Sequence, residues 1–474
     1  MQYGVIVDLR AIQDYIFSSN RLKDNIGASY LVKHFFDGFN TGEGFCGGGN
    51  LFRLCRDEHE AKQIIRDLSI RIYEKCPGLS FSATYISDFD TEAFQDSMDK
   101  LQKKLREEKN RRQQQSTLPS YGINAQCGSS PYSAEFVCKT PPDEGDLLSR
   151  QVYAKRQAAT SAVQEAQKLY QNELGTEFIL PESFEDLGQD KGHESFIAVI
   201  HIDGNQIGDL FLNQASFAAC KNLSAEINSA CELAFAKMLS MAVKEISSGK
   251  WQHYGKRLKK AGRQKYLPIR PLFIGGDDIT FISEGRLGLS LAIEFMNQFS
   301  QIMKHHDVSS SAGVALAKTN YPFYQVHKLA NSLCRSAKNK RLAAKSKSDH
   351  LDFHIISSSV NQDLVDIRKD NYQLGDGRRL YQRPYSIADL QVLVNNAESL
   401  HRKWPNSKIK DLRSVLYQSA EQCDAFEAQR KSREDLALPV KGMDAFKDSL
   451  FVNGETIFLD MIEIIEMLAL EDSQ

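Results

Sequence analysis

Between residues 195 and 356 short apolar runs alternate with longer amphipathic ones, and the two periods separate strands from helices. SFIAVIHI (195–202) is an apolar run of strand length that leads into Asp203-Gly204-Asn205. NLSAEINSACELAFAKMLSMAVKEI (222–246) spaces its apolar residues three and four apart, which predicts a long helix. In RPLFIGGDDITFI (270–282) two β-rich runs flank Gly275-Gly276-Asp277-Asp278, the pattern of a β-hairpin. A helix near 287–304, a strand SSSAGVALA (309–317), a helix YPFYQVHKLANSLCRSAKNKR (321–341) and an alternating HLDFHII (350–356) complete the run. Strand, helix, two strands, helix, strand is the ferredoxin-like order of a palm.

The amino-terminal segment repeats that order. YGVIVDLRAIQDYIF parallels IAVIHIDGNQIGDLF, which puts Asp8 where the later copy has Asp203. GFCGGGNLFRL parallels LFIGGDDITFI, with Gly47-Gly48-Gly49-Asn50 in place of Gly275-Gly276-Asp277-Asp278. LSFSATYI parallels SSSAGVALA, and the first hairpin glycine precedes the Ser-Ala pair by 35 residues in one copy and 36 in the other. The earlier copy lacks both hairpin acids, so only the later one is expected to hold metal. After about residue 360 helical patterns dominate, beginning with the basic loop GDGRRLYQRPYS. An Asn453-Gly454 hairpin signal precedes the amphipathic FLDMIEIIEMLAL. The expected fold is α+β. It has a degenerate first palm with a helical linker over 1–190, a GGDD palm over 191–360 and a helical C-terminal domain over 361–474.

Composition narrows the function classes. A length of 474 residues allows two or three domains, and 42% hydrophobic with 25% charged residues is ordinary for a soluble globular protein. A formal net charge of −2 excludes a globally basic nucleic-acid binder and leaves a local basic groove open. MQYGVIVDLR lacks the basic region and apolar core of a signal peptide. No apolar stretch reaches the roughly 18 residues of a membrane span. Nine scattered cysteines without a CxxC pair fit reduced thiols, so a cytoplasmic location with no membrane partner is expected.

Two adjacent carboxylates at a hairpin tip repel, and Asp203 ends the strand expected beside that hairpin. Three carboxylates within a few ångströms raise at least one pKa, and a divalent cation removes the conflict. Oxygen ligands favour magnesium or manganese, which also bind nucleotide phosphates. Two such ions about 4 Å apart lower the pKa of an attacking hydroxyl and offset charge on a leaving pyrophosphate. Gly275 and Gly276 then leave room for a triphosphate against the backbone. A solvated Asp-rich turn is the competing reading, weakened by Asp203 and the palm order around it.

HIDGNQIGDLF, RPLFIGGDDITFI, SAGVALAKTNYPF and LANSLCRSAK resemble the second palm of the CRISPR polymerase family, which includes the large subunit of type III CRISPR effector complexes. DLRAIQDYIFSSNRLKDNIGASYLV resembles that family's first palm. The resemblance covers residues 1–40 and about 195–345 well and the remainder loosely. It implies that Asp203 and Asp278 ligate metal with help from the Ile202 carbonyl, and that Asp277 is a third ligand or lies near the attacking 3′-hydroxyl. It implies that Lys338, with Lys340, reaches the triphosphate, and that Ser224 falls where the base is contacted. Asn205 takes the place of an Asp usual in the family. Neither an HD nuclease domain nor a four-cysteine zinc element is present, although Cys127 and Cys138 fall where the latter would be. A compact, self-sufficient relative is the expectation.

Several other signals point elsewhere. GEGFCG (42–47) matches GxGxxG, but the following LFRL reads as strand where a dinucleotide fold needs a helix. HHD (305–307) lacks the helical setting and partner ligands of an HD hydrolase and reads as a loop. Residues 251–270 carry seven Lys or Arg and no acid, a solvated face or a nucleotide or RNA contact. The basic run Arg335–Lys347 is a better candidate for phosphate contact, and aromatics at 321 and 323–324 read as core. The reading that results is a nucleotidyltransferase that joins ATP or other nucleoside triphosphates into a cyclic di- or oligonucleotide messenger for antiviral defence. It uses Mg2+ or Mn2+, and the inert first palm holds the second nucleotide. A homodimer and an RNA or defence-system partner stay open. The rivals are an RNA-binding scaffold subunit of an RNA-guided type III CRISPR-like complex and a metal-dependent nuclease.

Overall fold

The computed structural model describes residues 2–39, 43–111, 122–139, 141, 143–187, 195–214, 216–248, 258–356, 362–431 and 437–467. The first sheet consists of β1 (Tyr3–Arg10), β2 (Gly44–Gly47), β3 (Asn50–Cys55) and β4 (Ser80–Ile86), in the order β2-β3-β1-β4. Its helices are α1 (Ile12–Ile16), α2 (Leu22–Lys33), α3 (Glu58–Lys75) and α4 (Phe94–Asn110), and α5 (Arg150–Leu169) packs along α2.

The second sheet has six strands: β5 (Phe196–Gly204), β6 (Ile269–Gly275), β7 (Asp278–Glu284), β8 (Ser310–Lys318), β9 (His350–Ile355) and β10 (Tyr385–Ser386). Their order is β6-β7-β5-β8-β9-β10, so its first four strands repeat the order of the first sheet. The protein is thus α+β with two ferredoxin-like palms, and the second is extended by the parallel β9 and the antiparallel β10. α6 (Phe217–Ser248) and α7 (Gly288–Ile302) pack together on one face of this sheet, and α8 (Phe323–Ala343) covers the other. β5 is central and covered on both faces, which is why its sequence is almost continuously apolar. Gly313 lets α8 approach closely: a Cβ there would sit 2.0 Å from the Ala330 carbonyl oxygen.

The helical C-terminal region, α9 (Ile387–Lys403), α10 (Asn406–Leu416), α11 (Ala420–Lys431) and α12 (Phe458–Met467), docks on this sheet. Arg383 is fully buried, 2.5 Å from Glu463 and 3.3 Å from Asp460 of α12, with its guanidinium 4.6 Å above the Phe353 ring of β9. The loop that looked basic is therefore spent on internal ion pairs; Arg378 likewise meets Asp376 and Arg379 meets Glu455. Removing one partner of such a buried pair typically costs about 3–5 kcal/mol. Asn453 and Gly454 form the expected tight turn, with φ of 52° and 77°, but only a single Val452–Glu455 bridge flanks it rather than two strands. Among the described residues no helix is long and apolar enough to cross a membrane.

Candidate active site

Asp203, next to the last residue of β5, lies directly opposite Asp278, the first residue of β7, and opposite Ser311 of β8. Directly paired residues share a sheet face, here the face covered by α8. Lys338 of α8 donates to Asp203 at 2.5 Å. Asp278 accepts from Gln13 of α1 at 2.8 Å, and its other oxygen lies 3.3 Å from Nδ1 of His201. Asn331 of α8 fixes Gln13 through a 2.6 Å bond, so the first palm reaches into the second palm's acids. Asp277 lies over Gly204, whose N–H donates to the Asp277 carbonyl at 3.1 Å; a Cβ on Gly204 would sit 2.8 Å from that of Asp277.

Burial first, and then the charge of Asp203, push the Asp277 carboxyl up to about 6. Asp278 is also raised, by burial most of all, against the opposing pull of His201 and Gln13. Oδ1 of Asp278 is buried and accepts no hydrogen bond. A hard, all-oxygen donor set with a spare buried acceptor fits magnesium or manganese. The trio is looser than expected, however. Among the described residues only another group, Glu226, His305 and His306, brings three such donors within 4.8 Å of one another. Asp203 and Asp278 each have a separate partner, Lys338 for the first and Gln13 for the second.

The two hairpin tips face each other. Gly276 has φ 68°, the left-handed region that favours glycine, and the space where its Cβ would lie is 3.7 Å from Cα of Gly48. Its N–H donates to Asn228 of α6 at 2.9 Å. Gly275 is needed for an internal reason, since a Cβ there would lie 2.3 Å from the Phe273 ring. Packing against Phe273 is thus a reason for Gly275 besides room for a triphosphate. A cavity of about 640 Å³ lies between the palms, lined among others by Asp8, Asn50, Lys109, Ser224, Gly276 and Asp277.

Residues 196–346 match the family described as Cas10/Cmr2, second palm domain. That segment is a palm domain of the Cas10/Cmr2 type. The chain matches no curated protein. Among solved structures it is similar to a Csm1–Csm4 cassette in complex with cA4, at 12% identity and a TM-score of 0.59, over 99% of this chain and 70% of that one. The same cassette in complex with AMPPNP gives 12% and 0.56 over the same shares, and Csm1 of T. onnurineus gives 12% and 0.55 over 98% and 69%.

Within this Cas10/Cmr2-type palm, the remaining expected residues divide into two groups. Ile202 is buried between Ile279 and Ala312 in register, one position before Asp203. Ser224 is buried at the cavity wall, with its hydroxyl where a Cβ on Gly47 would be 2.5 Å away. Asn205 is not on the cavity wall. Wholly buried, its amide donates to Ser309 at 3.1 Å and accepts from Ser311 at 3.0 Å, which ties β5 to β8. Lys340 is exposed two residues past Lys338, and residues so spaced face opposite sides of a helix. Elsewhere in the basic run, Arg341 is buried against the Ser346 carbonyl and Lys347 pairs with Asp307. Of 251–270, residues 251–257 lie outside the described residues; Lys259 and Lys265 pair with Asp186 and Glu177, and Arg270 is buried. Phe323 is core, whereas Tyr324 is exposed. Gly42 of GEGFCG and the end of the last amphipathic run, from Leu468, also lie outside the described residues.

Gln13, His201, Asn228, Asn331 and Lys109 were not anticipated. Lys109 of α4 lies 2.7 Å from Asp8, as Lys338 lies beside Asp203. The signal was in the repeat: Lys109 follows Ser82 by 27 residues, and Lys338 follows Ser311 by 27.

Proposed function

We infer that this protein is a palm nucleotidyltransferase that condenses ATP or a related nucleoside triphosphate into a cyclic oligonucleotide, with Asp203, Asp277 and Asp278 as its metal-binding acids. The observation that carries the reading is the direct register of Asp203 against Asp278, with a buried Asp278 oxygen left free of hydrogen bonds. Bound magnesium or manganese would supply Lewis acidity for an attacking hydroxyl and a leaving pyrophosphate. The chain's own residues do the positioning. Gln13 holds one oxygen of Asp278, His201 stands 3.3 Å from the other without a hydrogen bond, and Asn228 holds the Gly276 turn. Lys338 is placed to leave Asp203 for a triphosphate oxygen as that charge arrives. The Ile202 carbonyl is a further candidate ligand, and Ser224 a contact to the base. Across the cavity, Asp8, Lys109 and Asn50 offer a second nucleotide polar contacts without a hairpin carboxylate, which suits an acceptor held beside the reacting one.

The similar Csm1–Csm4 structures, in complex with cA4 or AMPPNP or taken from a type III-A CRISPR-Csm interference complex, support adenine nucleotides as the substrate class and a protein partner in a defence complex. The test is to incubate the purified chain with Mg2+ or Mn2+ and each of four triphosphates, then identify products by mass spectrometry. A cyclic product that disappears in Asp278→Ala is expected. Tight RNA binding that survives Asp277→Ala and Asp278→Ala, with no nucleotide product from the native chain, would replace this reading with a scaffold.

A further inference from the structure

A second group of metal-type donors lies away from the aspartates. Glu226 sits on α6, and His305 and His306 end a 3-10 turn (Lys304–His306) between α7 and β8. Nε2 of His305 is 2.5 Å from one Glu226 oxygen and Nε2 of His306 is 3.1 Å from the other. All three donor atoms lie within 4.8 Å of one another. Neighbouring residues rarely aim the same ring nitrogen at one point. Here the chain turns sharply after them, with Asp307 at φ 53°, and the two rings sit 4.2 Å apart. A plain surface ion pair needs only one imidazole and contributes about 0–1 kcal/mol, which gives no reason for the second.

We propose that Glu226, His305 and His306 form a site for zinc or a neighbouring divalent transition metal, distinct from the aspartate site. Two imidazoles and one carboxylate suit zinc, nickel or copper, whereas the aspartates suit magnesium. Three protein ligands leave a fourth position for water, and His305 faces solvent to admit it. Metal–ligand bonds of about 2.1 Å in a tetrahedron place donors roughly 3.4 Å apart, so the cluster opens by less than about 1 Å as it gives up its shared protons. The position gives the ion a structural role. Glu226 lies on α6 between Ser224 at the cavity wall and Asn228, which holds Gly276. His306 leads within three residues to Ser309, which holds Asn205. The ion therefore clips together two supports of the aspartate site without touching it.

The test uses the full chain, stripped by chelator and titrated with Zn2+, with stoichiometry from native mass spectrometry and Co2+ absorption as the coordination probe. Because cysteines also take zinc, the titration is run in a Cys127→Ser/Cys138→Ser chain as well. One equivalent bound in both backgrounds is expected, with no displacement by millimolar Mg2+. Glu226→Gln and His305→Ala should each weaken binding ~10-fold or more, and His305→Ala/His306→Ala ~100-fold. Since His305 is exposed, its single variant is expected to fold and keeps the test decisive if the double one does not. Asp203→Asn/Asp278→Asn should leave zinc uptake unchanged. No stoichiometric uptake by the native chain overturns the proposal, as does equal uptake by the His305 variant or loss of uptake in the aspartate variant.

Discussion

The two palms share one blueprint and differ in one layer. In both, the aspartate near the end of the first strand stands opposite a hairpin residue on one side and a serine on the other: Asp8 between Asn50 and Ser82, Asp203 between Asp278 and Ser311. In both, a lysine from the helix after the fourth strand neutralises it. Two positions deeper the palms part. The first pairs Ile6 with Phe52 and seals the face with Phe89 and Phe94; the second pairs His201 with Thr280. Buried polar groups cost free energy unless fully hydrogen-bonded, so at this layer the first palm keeps only what packing asks for, beneath polar residues that still face the cavity. The second keeps His201, Thr280 and two raised carboxyls at the same place, which argues that its acids serve chemistry rather than folding.

The sharpest way to break that contrast is to exchange the hairpin residues. Asp278→Asn should lower nucleotide incorporation by at least ~10³-fold, because a ligand to the catalytic charge is lost. Asn50→Asp should change the rate by no more than about threefold, since Gly49 still replaces the second acid, while lowering stability by about 1 kcal/mol through repulsion with Asp8. Initial rates by pyrophosphate release decide it, and equal losses in both variants would make the palms equivalent. Next comes the lysine pair. Lys338→Ala should cost ~10²-fold in kcat/KM and Lys109→Ala about 10-fold, appearing chiefly in KM, because the second lysine binds a nucleotide that does not supply the reacting phosphate.

Much of this contrast was legible in the sequence, and the reasons for the exceptions are physical. Short apolar runs beside longer amphipathic ones marked the second palm, the repeat of that order marked the first, and pairing Asp203 with the GGDD turn needed only strand order. What stayed hidden depends on side chains meeting across long separations. Gln13 reaches Asp278 from another palm, and Glu226 meets His305 and His306 from a different helix. Lys340 looked equivalent to Lys338 because a linear basic run hides the 100° step of the helix. Asn205 drew notice because it stands where the resembled family has an Asp; its amide bonds the Ser309 and Ser311 hydroxyls just past the end of β5. The long helix began five residues earlier than its apolar pattern, at Phe217, where Phe45 and Phe52 of the first palm pack against it.

Gln13 tests whether the first palm contributes to the second palm's chemistry or merely leans on it. Its amide is held by Asn331 and donates to Asp278, so removing it frees the carboxylate to rotate. Gln13→Ala should lower kcat about 10-fold with KM little changed, the pattern of a positioning residue. Gln13→Glu should do worse, because it sets a negative charge against Asp278. A Gln13→Ala enzyme with native kcat would confine the catalytic unit to the second palm.

The smallest effect isolates the one acid with no counterpart at all. Asp277 stands where the first palm has Gly49, and burial followed by the charge of Asp203 holds its carboxyl up at about 6. The unfolded chain releases that proton near pH 4. Between about pH 4 and 6 the folded, metal-free protein therefore binds more protons than the unfolded one, and its stability falls as pH rises through that window. Full below pH 4 and gone above about 6, the contribution should be about 1 kcal/mol once partial solvent screening is allowed for. Thermal unfolding in chelator across pH 4 to 7, native chain against Asp277→Asn, reads it as a difference curve, with Asn losing the slope. Magnesium should restore the native chain most strongly above pH 6, where the ion takes the place of the departed proton. A flat difference curve would mean that Asp277 sits in the second palm as comfortably as Gly49 sits in the first, and the contrast between a folding palm and a working one would then rest on Asp278 alone.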